Sequence, residues 1–442
     1  MENQNGAIYN AKELGTGKVL ILGLQHMFAM FGATVLVPKL TGLSVAATLL
    51  FAGIATLFMH FVTKGKVPVF LGSSFAFLGG YAAIAPNGEK ELLPYACVGV
   101  ACAGLVYLIL ALVIKAFGQK KVMRFFPPIV TGPIIIAIGL CLSGSAIQNC
   151  AANWLIAIVA IIVVIVCNIW GKGMIKIIPI LLGVVVSYIL AVIVDPASRT
   201  AVVTAVNEAA WFGLPVKMEN TVFGLFAGGV DGGLIAKAII TIVPISLATM
   251  MEHIGDISAI SSTVGKNFIE EPGLHRTLIG DGVGTAIAAL FGAPANTTYG
   301  ENTGVLALTK VFDPMVIRLA AVYAMVLSFC PKFAALIEAM PTATIGGVSL
   351  ILYGMISAVG VRNIVENKVD FSESRNVIVA ALILVLAIGI KYGAGDSFMI
   401  GSLSLTGLAV ASIVGIVLNA VLPGKDDKFA DEPKDAGSLG KY

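Results

Sequence analysis

The chain has 442 residues, of which 58% are hydrophobic and 12% charged, and its mean hydropathy is +0.96. Soluble domains carry about 25% charged residues, so no soluble core accommodates this much apolar surface. The net charge is only +3, and the basic residues form short clusters between apolar runs, which excludes a nucleic-acid-binding face. The composition therefore predicts a protein whose apolar runs cross a lipid bilayer.

The six cysteines lie in or beside apolar runs and lack CxxC spacing, which is typical of small packing residues. We therefore expect no disulfide framework, no metal site and no cofactor. The chain also lacks HExxH, GxSxG and Walker motifs, so neither an enzyme nor an ATP-driven pump is predicted.

Fourteen apolar runs follow a polar N-terminal segment, residues 1–17. They are bounded by charged residues or by Pro and Gly, as expected of helices that cross roughly 30 Å of hydrocarbon. The first seven are 18–38, 42–63, 68–86, 93–116, 125–147, 152–170 and 175–195. After a loop at 196–232, the second seven are 233–254, 276–293, 294–311, 315–340, 342–361, 376–392 and 399–422, and a charged tail occupies 423–442. We predict an all-α polytopic membrane protein with fourteen spans.

Basic residues are concentrated in alternate loops, and this bias sets the orientation of membrane proteins. The clusters on the same side as the N-terminus are Lys64 and Lys66; Lys115, Lys120, Lys121 and Arg124; Lys172 and Lys176; Lys266 and Arg276; and Arg362, Lys368 and Arg375. The opposite loops carry isolated basic residues such as Lys90 and Lys332. We therefore predict a multi-pass protein of the cell membrane, surrounded by lipid, with both termini in the cytoplasm and the 196–232 loop outside.

An odd number of spans in each half gives the two halves opposite orientations, which is the arrangement of inverted-repeat secondary transporters. The third run of each half is interrupted, by LGSSFAF at 71–77 and by PANTTYGEN at 294–302. Irregular backbone at membrane depth is tolerated only where it is buried in protein or lines a cavity. The two breaks therefore predict the substrate site, unless they are ordinary loops between shorter helices.

Carboxylates inside apolar runs cost about 2.5–3.5 kcal/mol each to insert, and two of them stand out. Glu252 is late in the eighth run and Glu301 is in the interrupted tenth run. Asp256 follows Glu252 by four residues, so one helical face would carry both. Neighbouring carboxylates in a low dielectric strengthen each other's proton binding, which suits proton coupling. The alternative for Asp256 is a solvated residue at the end of a helix.

His26 in the first run is a further candidate for proton coupling. The alternative is a structural role, because a lone buried histidine is more often a hydrogen-bonded residue of the core.

The two breaks also carry groups that suit a planar ligand. The rings of Phe75 and Tyr299 would sandwich such a ligand by offset stacking. Backbone amides at Phe75 and Gly300 would bind carbonyl oxygens, while Glu252 and Glu301 would accept hydrogen bonds from ring N–H groups. A pyrimidine base such as uracil satisfies this pattern.

These residues resemble the nucleobase–ascorbate transporter family, also called nucleobase:cation symporter-2, and most closely its bacterial uracil permeases. The likeness extends over nearly the whole chain, from QH at 25–26 and FAMFGATVLVP at 28–38 to the fourteenth run. Its most specific elements are GSSFAF at 72–77, NTTYGEN at 296–302, and the signature that begins at Glu301 and ends at Lys310.

The resemblance implies a core domain, 18–116 with 233–340, and a gate domain, 117–195 with 341–422. Short strands would break spans 3 and 10 and meet at the substrate. The family's members are commonly homodimers in the membrane.

The resemblance also implies roles for the residues already singled out. Glu252 and Glu301 would hold the base, Phe75 and Gly300 would offer backbone amides, and Phe75 and Tyr299 would flank the ring. We include Ala33 in the expected substrate site.

We therefore expect a secondary active transporter that imports uracil with protons as the core moves against the gate. The expected proton-coupling residues are Asp256, Glu252, Glu301 and His26. Glu301 favours uracil because purine-transporting relatives typically have Gln at that position, whereas Asp256 is the residue that xanthine and urate carriers often have. The alternatives are a proton symporter for purines such as xanthine, urate or guanine, a sodium-coupled nucleobase symporter, and a passive channel.

Overall fold

The computed structural model describes residues 7–400 and 403–424. Residues 1–6 of the predicted N-terminal segment and 425–442 of the predicted cytoplasmic tail lie outside the described residues. The described chain is mostly helical, with four short strands.

The first half contains ten helices and one strand. They are α1 Thr16–Thr41, α2 Val45–Val62, β1 Leu71–Ser73, α3 Leu78–Ile84, α4 Leu93–Phe117, α5 Gln119–Met123, α6 Pro128–Ala151, α7 Trp154–Trp170, α8 Met174–Ile177, α9 Pro179–Val194 and α10 Pro196–Glu208. The second half contains α11 Leu225–Gly228, α12 Gly232–Ile242, α13 Ser246–Val264, α14 Leu274–Leu290, β2 Asn296–Thr298, α15 Gly300–Thr309, α16 Pro314–Ser328, α17 Pro331–Glu338, α18 Thr342–Glu366, α19 Ser374–Gly393, β3 Phe398–Ile400, β4 Leu403–Leu405 and α20 Gly407–Val421.

Seven helical segments of the described chain have the length and hydropathy to cross a bilayer: α1, α2, α4, α6, the continuous stretch of α12 and α13, α18 and α19. Two bent pairs raise this number to as many as nine, namely α9 with α10, bent by 111°, and α16 with α17, bent by 89°. Each bend falls at a proline, Pro196 or Pro331, which lacks the N–H that a continuing helix needs. The remaining predicted spans are shorter helices or a strand followed by a helix, so the count of fourteen stays a prediction.

Two predicted boundaries are wrong. The eighth span, predicted as 233–254, continues to Val264, and Asp256 is a buried residue inside α13 instead of a solvated residue at its end. Beyond residue 254, Asp256 accepts a hydrogen bond from Thr298, and the Ser261 hydroxyl oxygen accepts one from the Phe268 N–H. The fourteenth span, predicted as 399–422, starts with an antiparallel β3–β4 hairpin before α20 begins at Gly407. Ser and Leu alternate at 402–405, which is the period of a strand.

The two interrupted segments contain the strands β1 and β2, which pair with each other in antiparallel register, Leu71 opposite Thr298 and Ser73 opposite Asn296. All six strand residues are buried. Each strand is followed by helix, α3 after β1 and α15 after β2. The pairing satisfies backbone groups that are cut off from water, which is the condition for irregular backbone inside a membrane protein.

A threonine on a neighbouring helix holds the first residue of each strand. Thr56 on α2 accepts from the Leu71 N–H at 2.9 Å and donates to the Leu71 carbonyl oxygen at 3.3 Å. Thr285 on α14 makes the same two bonds to Asn296, both at 3.1 Å. The helices α2 and α14 correspond to the second predicted span of each half, so the two clamps occupy matching places in the proposed repeats.

Close helix crossings join the two halves of the chain. The helix α4 packs on α14, and α6 packs on α18. A Cβ atom at Gly104 would lie 2.5 Å from the Gly282 carbonyl oxygen, and one at Gly139 would lie 2.2 Å from the Tyr353 carbonyl oxygen. Small residues therefore allow these backbones to approach closely, as is common between helices in membranes.

Candidate substrate-binding site

A cavity of about 370 Å³ lies where the two paired strands meet the helices of both halves. Its volume is typical of small-molecule sites, which run from about 300 to 1,000 Å³. The predicted site residues that line it are Phe75, Glu252, Asp256, Tyr299, Gly300 and Glu301. The strands and α13 together therefore bring six predicted residues, from distant parts of the chain, to one place.

The carboxylates of α13 have different surroundings. Glu252 and Asp256 lie one turn apart and both line the cavity. The Asp256 Oδ2 accepts a hydrogen bond of 2.7 Å from the Thr298 hydroxyl on β2. Glu252 Oε2 is buried and has no protein donor. Because buried polar atoms normally have a partner, this oxygen is free to accept a hydrogen bond from a ligand.

The segment after β2 is fixed at both its backbone and its side chain. The Tyr299 N–H donates to the Phe70 carbonyl oxygen at 3.1 Å, and the Tyr299 hydroxyl donates to the Ser73 carbonyl oxygen at 2.9 Å. Gly300 begins α15, so its N–H has no acceptor within the helix. Glu301 follows in the first turn of α15. A donor and a carboxylate are thus held side by side at the cavity wall.

Phe75 directly follows β1 and begins a short 3₁₀ turn, Phe75–Phe77. Its ring meets the Tyr353 ring of α18 edge to face, with centroids 5.4 Å apart and planes at 76°. This geometry is a favourable aromatic contact, and it fixes the ring at the cavity wall. Phe75 therefore joins the first-half strand to a helix of the second half.

Two predicted residues do not line the cavity. Ala33 is buried, but its place on the cavity wall is taken by Ala29, one turn earlier on α1. His26 is buried and hydrogen-bonded to Asn302, whose amide nitrogen lies 3.2 Å from His26 Nδ1 and 3.0 Å from the His26 carbonyl oxygen. His26 is thus linked to the site through Asn302, the residue that follows Glu301.

Two polar groups at or near this site, Asp281 and Thr298, were not singled out from the sequence, whereas His253 was considered as a titratable residue inside the membrane. Asp281 on α14 is fully buried, and its Oδ2 lies 2.8 Å from His253 Nδ1. His253 Nε2 lies 3.0 Å from the Thr277 hydroxyl oxygen. The signal for Asp281 was available, because it is a carboxylate inside the predicted ninth span. Thr298 was passed over as one residue of a motif, although it contacts Asp256.

The cavity opens near α8 and the end of α15. Lys176 and Leu308 line it and are both exposed on the surface. Asn168 on α7 also lines it and was not singled out from the sequence.

In the described part of the chain, no group of three or more His, Cys, Asp or Glu residues is placed to hold a metal ion.

An integral membrane protein whose paired strands meet at a cavity lined with carboxylates has the architecture of a secondary transporter. A family model described as "Permease family" matches residues 17–395, and the chain belongs to this family, the nucleobase–ascorbate transporters. The uracil permeases of Bacillus caldolyticus and Bacillus subtilis are 40% and 39% identical to it, each over 92% of this chain and 93% of the relative. The uracil permease of Escherichia coli K12 is 37% identical over 90% of each chain.

Solved structures of other transporters share the fold. The transmembrane domain of the cyanobacterial bicarbonate transporter BicA superposes with a TM-score of 0.59 at 14% identity, covering 93% of this chain and 98% of that domain. Murine Slc26a9, an anion transporter in its inward-facing state, gives 0.61 at 10% identity, covering 95% of this chain and 69% of that one. At these identities the likeness concerns the fold alone. The protein is a transporter and not an enzyme.

Proposed function

We propose that this protein is a secondary active transporter that imports uracil together with protons. The observation that carries the proposal is the cavity, where Glu252, Glu301, Phe75 and Tyr299 line one space beside the paired strands. Relatives 37–40% identical over at least 90% of the chain are named uracil permeases, which favours the same substrate.

Uracil carries alternating carbonyl and N–H groups, and the cavity offers hydrogen-bond donors and acceptors that match them. The unpartnered Glu252 oxygen and the Glu301 carboxylate accept from ring N–H groups, and the amides of Phe75 and Gly300 donate to ring carbonyl oxygens. Phe75 and Tyr299 contact the faces of the ring. A site built to bond each polar group of its substrate rejects molecules that leave those groups unpaired.

The architecture we propose has fourteen spans in two inverted repeats, with spans 3 and 10 broken by β1 and β2. The core domain consists of spans 1–4 and 8–11 and the gate domain of spans 5–7 and 12–14. The matching threonine clamps at Leu71 and Asn296 support the repeat. Both termini are cytoplasmic, and lipid surrounds the spans.

Transport follows from movement of the core against the gate around this cavity. Proton binding to Asp256, Glu252 and Glu301, with His26 acting through Asn302, and base binding favour one another. The cavity opens beside Lys176 on α8, one of the basic residues that charge bias assigns to the cytoplasmic side. Under this proposed orientation the cavity is open to the cytoplasm. We further propose a homodimer, which the mass of the purified protein in detergent would test.

A purine symporter is the second candidate, because Asp256 lines the cavity where xanthine and urate carriers often have the same residue. Competition against labelled uracil uptake separates the two. We expect strong inhibition by uracil, 5-fluorouracil and thymine, and little by xanthine or adenine. Inhibition by xanthine at lower concentration than by uracil would contradict the substrate assignment.

Coupling is tested with ionophores. Uptake collapses with a proton uncoupler and persists without sodium if protons drive it. Accumulation that survives the uncoupler and disappears without sodium would support the sodium-coupled alternative, and flux that never exceeds equilibrium would support a channel.

A further inference from the structure

The side chain of Thr298 connects the substrate-binding strand with a carboxylate of α13. Its hydroxyl donates to Asp256 Oδ2 at 2.7 Å, and both residues are buried and line the cavity. Thr298 is the last residue of β2, paired with Leu71 and followed by Tyr299 and Gly300. A change at Asp256 therefore reaches the backbone that forms one wall of the substrate site.

Glu252, one turn away on α13, and Glu301, in the first turn of α15, line the cavity together with Asp256. Lys176 also lines this cavity and is exposed on the surface. Asp281 on α14 is nearby but is engaged with His253.

The packed helices α6 and α20 carry no acidic or basic side chain, and on α18 Arg362 and Glu366 pair with each other. On α14, Arg276 donates to the Val62 carbonyl oxygen. The other acidic or basic side chains on elements packed against α13 are Lys115 at the end of α4, His275 on α14, and Glu270 and Glu271 in the turn before α14. The hydrogen bond that the structure shows at the Asp256 carboxylate comes from the Thr298 hydroxyl.

A hydroxyl bonds an ionised carboxylate more strongly than a neutral carboxyl group. When Asp256 is ionised, the bond to Thr298 ties β2 to α13; when Asp256 takes up a proton, the tie weakens. The two ends of β2 are therefore held by different kinds of hydrogen bond. At Asn296, Thr285 makes two bonds between neutral groups, whose strength does not depend on protonation. At Thr298, the strength of the bond depends on the protonation of Asp256.

We propose that Thr298 is a positioning residue that transmits the protonation state of Asp256 to the substrate-binding segment from Tyr299 to Glu301. The proposal rests on the proposed function, since it presupposes proton-coupled uracil uptake. The hydrogen bond between Thr298 and Asp256 would then couple proton binding to substrate binding. Glu252 has a buried oxygen without a protein donor, which can bind the substrate itself.

The test compares Thr298→Val, which removes the hydroxyl at equal size, with Thr298→Ser, which keeps it. Initial rates of labelled uracil uptake are measured from pH 5 to pH 8 in proteoliposomes with equal amounts of protein. Because a hydroxyl donor favours the ionised carboxylate, its loss extends proton-activated uptake to higher pH. We expect the half-maximal pH of Thr298→Val to rise by about one unit, a tenfold change in proton affinity. Thr298→Ser should keep the wild-type profile.

A double variant shows whether the effect acts through Asp256. In an Asp256→Asn background, adding Thr298→Val should leave the pH profile where Asp256→Asn alone places it. If Thr298→Val does not accumulate in the membrane, Thr298→Ala removes the same hydroxyl without added bulk and is scored in the same way.

An unchanged pH profile in Thr298→Val, or an equal shift in Thr298→Ser, would overturn the proposal. Wild-type uptake that is independent of pH and of an uncoupler would instead refute the proposed coupling, so the two failures are distinguishable.

Discussion

The three carboxylates of the cavity differ in the hydrogen-bond partners that the protein gives them. Asp256 accepts from Thr298, Glu301 lies in the first turn of α15, and Glu252 keeps a buried oxygen without a protein donor. A buried acceptor without a partner costs about 1–3 kcal/mol, a cost that a ligand donor removes. Among these three carboxylates, Glu252 is the one with a buried oxygen that a ligand donor could pair.

Glu252→Gln tests this role at constant size. The amide is uncharged and adds a donor where the site requires an acceptor, so substrate binding weakens. Loss of a charged hydrogen bond of about 1.5–3 kcal/mol lowers affinity roughly tenfold to a hundredfold. We expect normal membrane insertion with uptake reduced at least that far, measured with labelled uracil. Full activity of Glu252→Gln would contradict its place in the site.

The Asp281–His253 pair belongs to the core of the protein. Removing one partner of a fully buried pair costs about 3–5 kcal/mol, because the other is left without compensation. We expect Asp281→Ala to lower the melting temperature of the purified protein clearly. Glu366→Ala is the matched control, since its pair with Arg362 lies at the surface and is worth at most about 1 kcal/mol. Equal melting temperatures of the two variants would refute the structural role of Asp281.

From sequence alone, carboxylates in apolar runs are the easiest site candidates to single out, because burying them is costly. Their roles in binding stay predictions. Glu252 and Glu301 stand out in any apolar run, and both line the cavity. Asp281 met the same criterion and was overlooked. Ala33 could not be distinguished from Ala29, because apolar residues on one helix face carry no signal that tells which turn meets a cavity.

At the scale of elements, the strands depend on their clamps. Thr56 and Thr285 each satisfy both backbone groups of a strand's first residue. The sequence predicted the two breaks, since Gly, Ser, Asn and Thr interrupt apolar runs there. The β3–β4 hairpin was missed although its strands are neighbours in the chain and Ser and Leu alternate at 402–405. The extension of α13 carries no such local signal, and Asp256 in it contacts Thr298, which is 42 residues further along the chain.

Replacing either clamp by valine leaves a buried N–H and a carbonyl oxygen unpaired. We expect Thr56→Val and Thr285→Val to raise the KM for uracil roughly tenfold, with similar effects because the positions match. The Ser variants should stay close to wild type. Thr263→Val is the control, since its hydroxyl donates to the Ala259 carbonyl oxygen within its own helix. A wild-type KM in both clamp variants would show that the strands hold their position without them.

At the scale of the whole molecule, composition and alternating charge clusters predict a polytopic protein without knowledge of its fold. The partners of each helix do not follow from them, because the long apolar helices present apolar residues on most sides. The packing of α4 on α14 and of α6 on α18 depends on small residues at the crossings. Solved transporters only 10–14% identical share the fold, so very different sequences adopt it.

We propose that the protein moves uracil against its gradient at the expense of a proton gradient. The most direct measurement is labelled uracil uptake into proteoliposomes made from the purified protein, with an acidic outside and no sodium. We expect accumulation above the outside concentration, its collapse on adding an uncoupler, and its absence in Glu252→Gln. Accumulation that requires sodium, or uptake that never exceeds equilibrium with a proton gradient present, would contradict proton-driven uracil import.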